Sequence, residues 1–192
     1  MKIQLPEPIE RLEPSTPHAG MTLIELLIGL AVTSILITSS VSGLSTLLAE
    51  TRMNSHVNSL VHSFHSARQI SRVKGTEIAV CKSTNGKQCT ANSSWHDGWL
   101  IFANLDQDNP PQKDPGETLL EVHESVRPLN ISSNRHAFIM RPFGKRSTNG
   151  TLVYCDQRGS QSAKAIIVSY TGKPRTSSKD SRGQTLTCTA SS

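Results

Sequence analysis

From Gly20 to Ala49 the chain is mostly apolar and carries one charge, Glu25, near its start. As a helix, such a run is long enough to cross roughly 30 Å of hydrocarbon, so it predicts a single transmembrane segment. Beyond Ala49 the pattern changes without breaking. Met53, Val57, Leu60, Val61, Phe64, Ala67 and Ile70 recur at three- and four-residue spacing, with Asn, Ser, His, Arg and Gln between them. That periodicity predicts an amphipathic continuation of the same helix, closed by Gly75. One helix of about 50 residues and ~80 Å follows, apolar all round in its first half and one-sided in its second.

From residue 76 the pattern shortens to apolar runs separated by turn residues. Strands are predicted at Thr76–Cys81, Gly98–Ala103, Thr118–Glu124, His136–Arg141, Thr151–Asp156, Lys164–Tyr170 and Gln184–Thr189. Asn85-Gly86, Asn109-Pro110-Pro111, Asp114-Pro115-Gly116, Asn149-Gly150, Arg158-Gly159 and Thr171-Gly172 mark the turns between them. The expected class is α+β, with a long N-terminal helix backed by antiparallel sheet. After that helix one domain of ordinary size remains.

Charge is segregated along the chain. Between Asp97 and Glu124 lie seven acids and one base, Lys113; from Arg141 onward lie nine bases and two acids, Asp156 and Asp180. If the fold keeps them apart, one face suits an anionic partner. The segment before Gly20 carries Glu7, Glu10 and Glu13 with four prolines and has no apolar core. A conventional secretory signal has its apolar region upstream of the cut; here it lies downstream.

A lone carboxylate in an apolar helix costs a few kcal/mol on insertion scales and needs a partner. The residues around it, Gly20-Met21-Thr22-Leu23-Ile24-Glu25, resemble the cleavage and methylation site of type IV prepilins and pseudopilins. The resemblance implies that a prepilin peptidase cuts between Gly20 and Met21 and methylates the amino group of Met21. Glu25 then becomes the fifth residue of the mature chain. Most relatives have Phe where this chain has Met21. In a bundle of such helices the Glu25 carboxylate would pair with the amino terminus of a neighbouring subunit. Removing one partner of a buried pair costs about 3–5 kcal/mol, enough to decide whether a subunit joins a fibre. The plainer alternative is a membrane anchor with a stray acid.

Further residues narrow the resemblance to the GspH/FimT branch of minor pilins and pseudopilins. They are Trp95-His96-Asp97-Gly98-Trp99-Leu100-Ile101-Phe102, Phe143-Gly144, Asn149-Gly150, Leu152-Val153-Tyr154-Cys155, and Ala165-Ile166-Ile167-Val168-Ser169 running into Thr171-Gly172-Lys173-Pro174-Arg175. A pilin fold is implied, with residues 1–20 as leader, 21–49 as the membrane and fibre-core half of the helix, 50–75 as its amphipathic half, and 76–192 as a β-rich domain. The implied partners are other major or minor pilins or pseudopilins, the peptidase and an inner-membrane assembly platform. The implied setting is the bacterial inner membrane with the domain in the periplasm, then a fibre. In that oxidising compartment Cys81, Cys89, Cys155 and Cys188 should pair, since no Cys-x-x-Cys and no suitably placed His suggests zinc. The expected pairs are Cys81 with Cys89, which flank a Lys-Ser-Thr-Asn-Gly-Lys turn, and Cys155 with Cys188, although sequence leaves the connectivity open.

In relatives that bind DNA during natural transformation a Gly-Arg-x-Arg element follows the last long strand, and Gly172-Lys173-Pro174-Arg175 stands at that place. Lys173 keeps the charge of the first Arg and loses its bidentate fork. Lys164, Lys179 and Arg182 surround the element, and Arg141, Lys145, Arg146 and Arg158 are candidates for the same face. Such a set would bind double-stranded DNA through phosphates, without sequence preference and with steep salt dependence. With Tyr170 the only aromatic residue nearby in sequence, stacking is expected to contribute little. The alternative is a solvated basic loop.

Asp106, Asp108, Asp114 and Glu117 fail the EF-hand pattern, with Pro110 at a ligand position, and are expected to form an acidic surface loop. His56, His62 and His65 are expected on the helix surface, with no metal and no cofactor. No Gly-x-Ser-x-Gly elbow occurs, and no catalytic residue is assigned. Three readings stand: a minor type IV pilin at the pilus tip with a role in assembly and DNA uptake, a minor pseudopilin of a type II secretion machine, and a tip pilin without a ligand.

Overall fold

The computed structural model describes residues 20–188, and the side chains at 38–42 lie outside the described residues. Residues 1–19 of the expected leader, and the end of the last predicted strand, Thr189, also fall outside them. Helix α1 runs Leu23–Lys74. Thr22 precedes it and its Oγ1 accepts the amide of Glu25 at 3.3 Å. Thr-x-x-Glu is also a capping-box pattern, so Glu25 has a local place at the helix start that the sequence reading did not consider.

Up to Ser45 the chain forms one unit. There Leu23, Ile24, Leu26, Leu27, Ile28 and Leu30 are exposed along α1. Among the described residues no helix is long and apolar enough to cross a membrane. The transmembrane stretch expected at 21–49 includes the undescribed side chains.

The second unit starts at Thr46 and contains its own core. Met53, Val57, Leu60, Phe64 and Ala67 are buried at helical spacing, and they pack against two four-stranded antiparallel sheets. The first sheet has the order β3-β2-β1-β5, from β1 (Glu77–Lys82), β2 (Trp99–Asn104), β3 (Leu119–His123) and β5 (Ala137–Met140). The second has the order β4-β6-β7-β8, from β4 (Asn130–Ser133), β6 (Gly150–Cys155), β7 (Lys164–Val168) and β8 (Pro174–Ser177). Ile78 and Val80, Trp99 and Ile101, Phe138 and Met140, Leu152 and Tyr154, and Ile166 and Val168 join the helix residues in one cluster. Each large side chain buried there contributes about 1.5–3 kcal/mol against exposure. The class is the expected α+β, with an N-terminal helix packed on antiparallel sheets.

Each sheet also has an outer face. Ala79, Cys81, Leu100 and Phe102 form one small cluster; Cys155, Ala163, Ala165, Ile167 and Leu186 form the other. A disulfide joins Cys81 to Cys89 and another joins Cys155 to Cys188. The second holds the chain after β8 over the outer face of the second sheet. Gly75 follows α1 with φ +66°, where glycine carries no steric cost.

Three segments differ from expectation. Gln184–Cys188, the described part of the last predicted strand, is not a strand; within it only Thr185 bridges, to Lys179. β8 occupies Pro174–Ser177, within the predicted basic loop, and β4 lies where none was predicted.

Candidate functional site

β7 and β8 pair antiparallel, Val168 opposite Pro174 and Ile167 opposite Arg175. The five residues between them make a tight turn. The Gly172 amide donates to the Ser169 carbonyl at 2.9 Å, and the Ser169 amide donates to the Lys173 carbonyl at 3.1 Å. Gly172 has φ +72°, and a Cβ there would come within 2.9 Å of the Met140 sulfur and 3.1 Å of Ser147 Oγ. Glycine is required twice, for the backbone conformation and for the close approach. It places Lys173 opposite Ser169 at the foot of the turn, exposed, and Pro174 at the first position of an edge strand, where a missing N–H is tolerated.

The predicted cations are not brought together as one patch. Lys173 and Arg175 are exposed beside each other in sequence, and neither has an ion-pair partner among the described residues. Arg175 lies opposite Ile167 and so shares the outer face of the second sheet. Lys179 and Arg182 are exposed in the segment after β8, and Arg182 Nε lies 3.4 Å from Asp180. Lys164 is elsewhere. It opens β7 at the end away from the turn, opposite Tyr154, and its ammonium meets Glu50 at 2.5 Å and Asn54. That pairing ties β7 to α1, which corrects its expected place on the basic face.

Arg158 and Arg141 are likewise matched. Arg158 bridges Asp156 and Glu50, and Arg141 Nε donates to Glu77 at 2.9 Å. The hydrogen bonds from Lys164, then those from Arg158, hold the Glu50 carboxyl below its ordinary range. The Asp156 and Glu50 carboxylates raise Arg158.

Around the turn the structure adds Arg68 and Arg72, which sequence reading missed, to Lys145 and Arg146, which it named. Arg68 Nε donates to the Thr171 carbonyl at 2.9 Å. One helical turn on, the Arg72 guanidinium lies 4.5 Å from the centre of the Phe143 ring. The Arg146 guanidinium lies 5.1 Å from the centre of the Tyr170 ring. Lys145 is exposed in the same loop. The available signal was the i, i+4 spacing of Arg68 and Arg72, which puts both on one helix face near its C-terminus.

The acidic loop turns most of its carboxylates onto its own backbone, although Asp108 Oδ1 is buried without a partner. Glu117 is buried and accepts the amides of Leu105 at 2.7 Å and Asp114 at 2.9 Å; Asp108 accepts that of Gln112 at 2.8 Å. Burial, together with Asp106, Glu117 and Asp114 nearby, pushes Asp108 up, against the pull of the Gln112 amide. Among the described residues no group of His, Cys, Asp and Glu is arranged to hold a metal ion. Ser63, His123 and Glu121 do meet, with Ser63 Oγ 3.1 Å from His123 Nε2. Glu121 approaches that same nitrogen at 3.3 Å, whereas a hydrolytic relay needs the carboxylate on the other one. Ser63 is also fully buried under Trp99, so the group is a packing network.

The family described as Type II transport protein GspH matches residues 56–172, more than half of the chain. The chain belongs to the GspH family. Residues 16–41 match the Prokaryotic N-terminal methylation motif, which includes Gly20, Met21 and Glu25. Among solved structures, the type IV minor pilin FimU of Pseudomonas aeruginosa is similar, at 16% identity and TM-score 0.48 over 72% of this chain and 96% of that one. No curated protein matches. GspH-family chains are structural subunits that assemble with other pilins or pseudopilins after processing by the prepilin peptidase.

Proposed function

We propose that this GspH-family chain is a minor type IV pilin of the FimT kind, built into a fibre at or near its tip, where it helps to prime assembly and contacts double-stranded DNA. It is made as a prepilin in the bacterial inner membrane, with residues 21–49 as the span and 76–192 in the periplasm. The peptidase cuts after Gly20 and methylates Met21, and the assembly platform passes the subunit into the fibre. Glu25 pairs there with the new amino terminus of a neighbour. Lys173 and Arg175 supply charge to phosphates, with Lys179 and Arg182 beside them. The observation that supports the DNA reading most is the turn itself, which holds Lys173 and Arg175 in solvent with no carboxylate against them among the described residues.

A gel-shift titration of the processed protein with duplex DNA at two salt concentrations tests this reading. Binding should fall steeply with salt and weaken on Lys173→Ala with Arg175→Ala. No binding at low salt removes DNA and leaves assembly alone. Glu25→Ala should leave cleavage intact and reduce incorporation into isolated fibres; unchanged incorporation refutes the role of that acid. The family description favours a second reading, a minor pseudopilin of a type II secretion machine. Deletion of the gene separates the two: loss of secreted protein with pili intact supports the secretion machine.

A further inference from the structure

Of the two Trp, two Tyr and four Phe in this chain, only Phe143 and Tyr170 are exposed, at 78% and 54%. Both lie against arginines, Phe143 under Arg72 and Tyr170 under Arg146. The Ser147 amide donates to the Tyr170 carbonyl at 2.9 Å, which joins the loop carrying Phe143 to the turn carrying Tyr170. Arg68 donates to Thr171 in that turn, and Arg72 covers Phe143. Each ring therefore carries a guanidinium, Arg72 on Phe143 and Arg146 on Tyr170, and is otherwise exposed.

We propose that this surface binds single-stranded DNA, with unpaired bases stacking on the open faces of Phe143 and Tyr170 and phosphates meeting Arg72, Lys145, Arg146 and Lys173. The proposal rests on the DNA reading above and moves the preferred ligand at this surface from duplex to single strand. Stacked guanidinium groups hold the rings in place and leave their own N–H edges free for phosphate oxygens. A duplex keeps its bases stacked on one another, so exposed rings add nothing to a backbone-only contact. Aromatic platforms interleaved with cations are what single strands need.

The test uses the full processed chain in detergent and fluorescence anisotropy with three probes: a labelled thymidine strand of about 12 nucleotides, the same strand with abasic units, and a duplex of equal length. The ordinary strand should bind at least roughly fivefold tighter than the abasic strand and the duplex. Phe143→Ala with Tyr170→Ala should abolish that advantage with no change in melting temperature, and Tyr170→Phe should keep it. Equal binding of ordinary and abasic strands, or a preference that survives loss of both rings, overturns stacking. If duplex binding then still depends on Lys173 and Arg175, the broader DNA reading stands. Failure to bind any probe ends both, and leaves an acidic protein partner as the remaining use of the surface.

Discussion

β7 has positive charge near both of its ends, and the two ends differ in what opposes it. At its start, Lys164 and Arg158 converge on Glu50 of α1, with Asp156 completing the group. Past its far end, Lys173 and Arg175 meet no carboxylate among the described residues, and Arg146 rests on an aromatic ring. One end is a clasp between helix and sheet, and the other faces outward. A count of basic residues along the chain cannot separate the two, because the deciding acid, Glu50, is 114 residues away from Lys164.

The largest effect should come from the open end. Lys173→Ala with Arg175→Ala is expected to lower duplex affinity about tenfold or more at low salt and to reduce the log–log salt slope by up to about 2. Its unfolding free energy should stay within about 0.5 kcal/mol of the parent. Anisotropy titrations at several salt concentrations, paired with urea denaturation, read both quantities. A large stability loss would mean that the turn is structural after all.

The reciprocal change at the clasp comes next. Lys164→Ala should cost about 1–2 kcal/mol of stability and leave DNA affinity unchanged. Weakened DNA binding would make the two ends one surface. Acid should loosen the same clasp. Glu50 is depressed in the folded state, chiefly by Lys164, so its stabilisation is present above its unfolded value of about 4.3 and is lost as pH falls below that. Glu50→Gln should flatten the stability profile there.

The smallest effect is expected at a carboxylate with the opposite shift. Burial raises Asp108, so its ionised form is disfavoured in the fold and opposes stability at neutral pH. Asp108→Asn keeps an acceptor for the Gln112 amide and should gain up to about 0.5 kcal/mol at pH 7, measured by urea denaturation. A loss would show that the charge itself holds the acidic loop.

Much of the architecture could be read from local pattern. The burial stripe from Met53 to Ala67 follows the helical period, and Gly75 stops α1 where its free conformation is needed. β4 escaped because Asn-Ile-Ser-Ser has a single strongly apolar residue, and its pairing with β6 is what makes it a strand. β8 escaped because Pro174 and the Ser and Lys around it look like a turn, yet an edge strand accepts proline at its start. Gln184–Cys188 alternates as a strand does, but a disulfide at Cys188 and a packed Leu186 hold it instead. At the candidate site Lys173 and Arg175 were visible as a motif. Arg72 on Phe143 was not, since helix and loop meet only through the tertiary fold.

The second sheet ends on β8 with an open row of backbone groups. An open edge can recruit a strand from another molecule, which for a fibre subunit would mean clumping before assembly. Pro174 removes one donor from that edge, and Arg175 beside it adds a charge that a second identical edge would repel. Neutralising the turn to abolish ligand contact would therefore also strip a guard against misassembly, and a drop in soluble yield should accompany it.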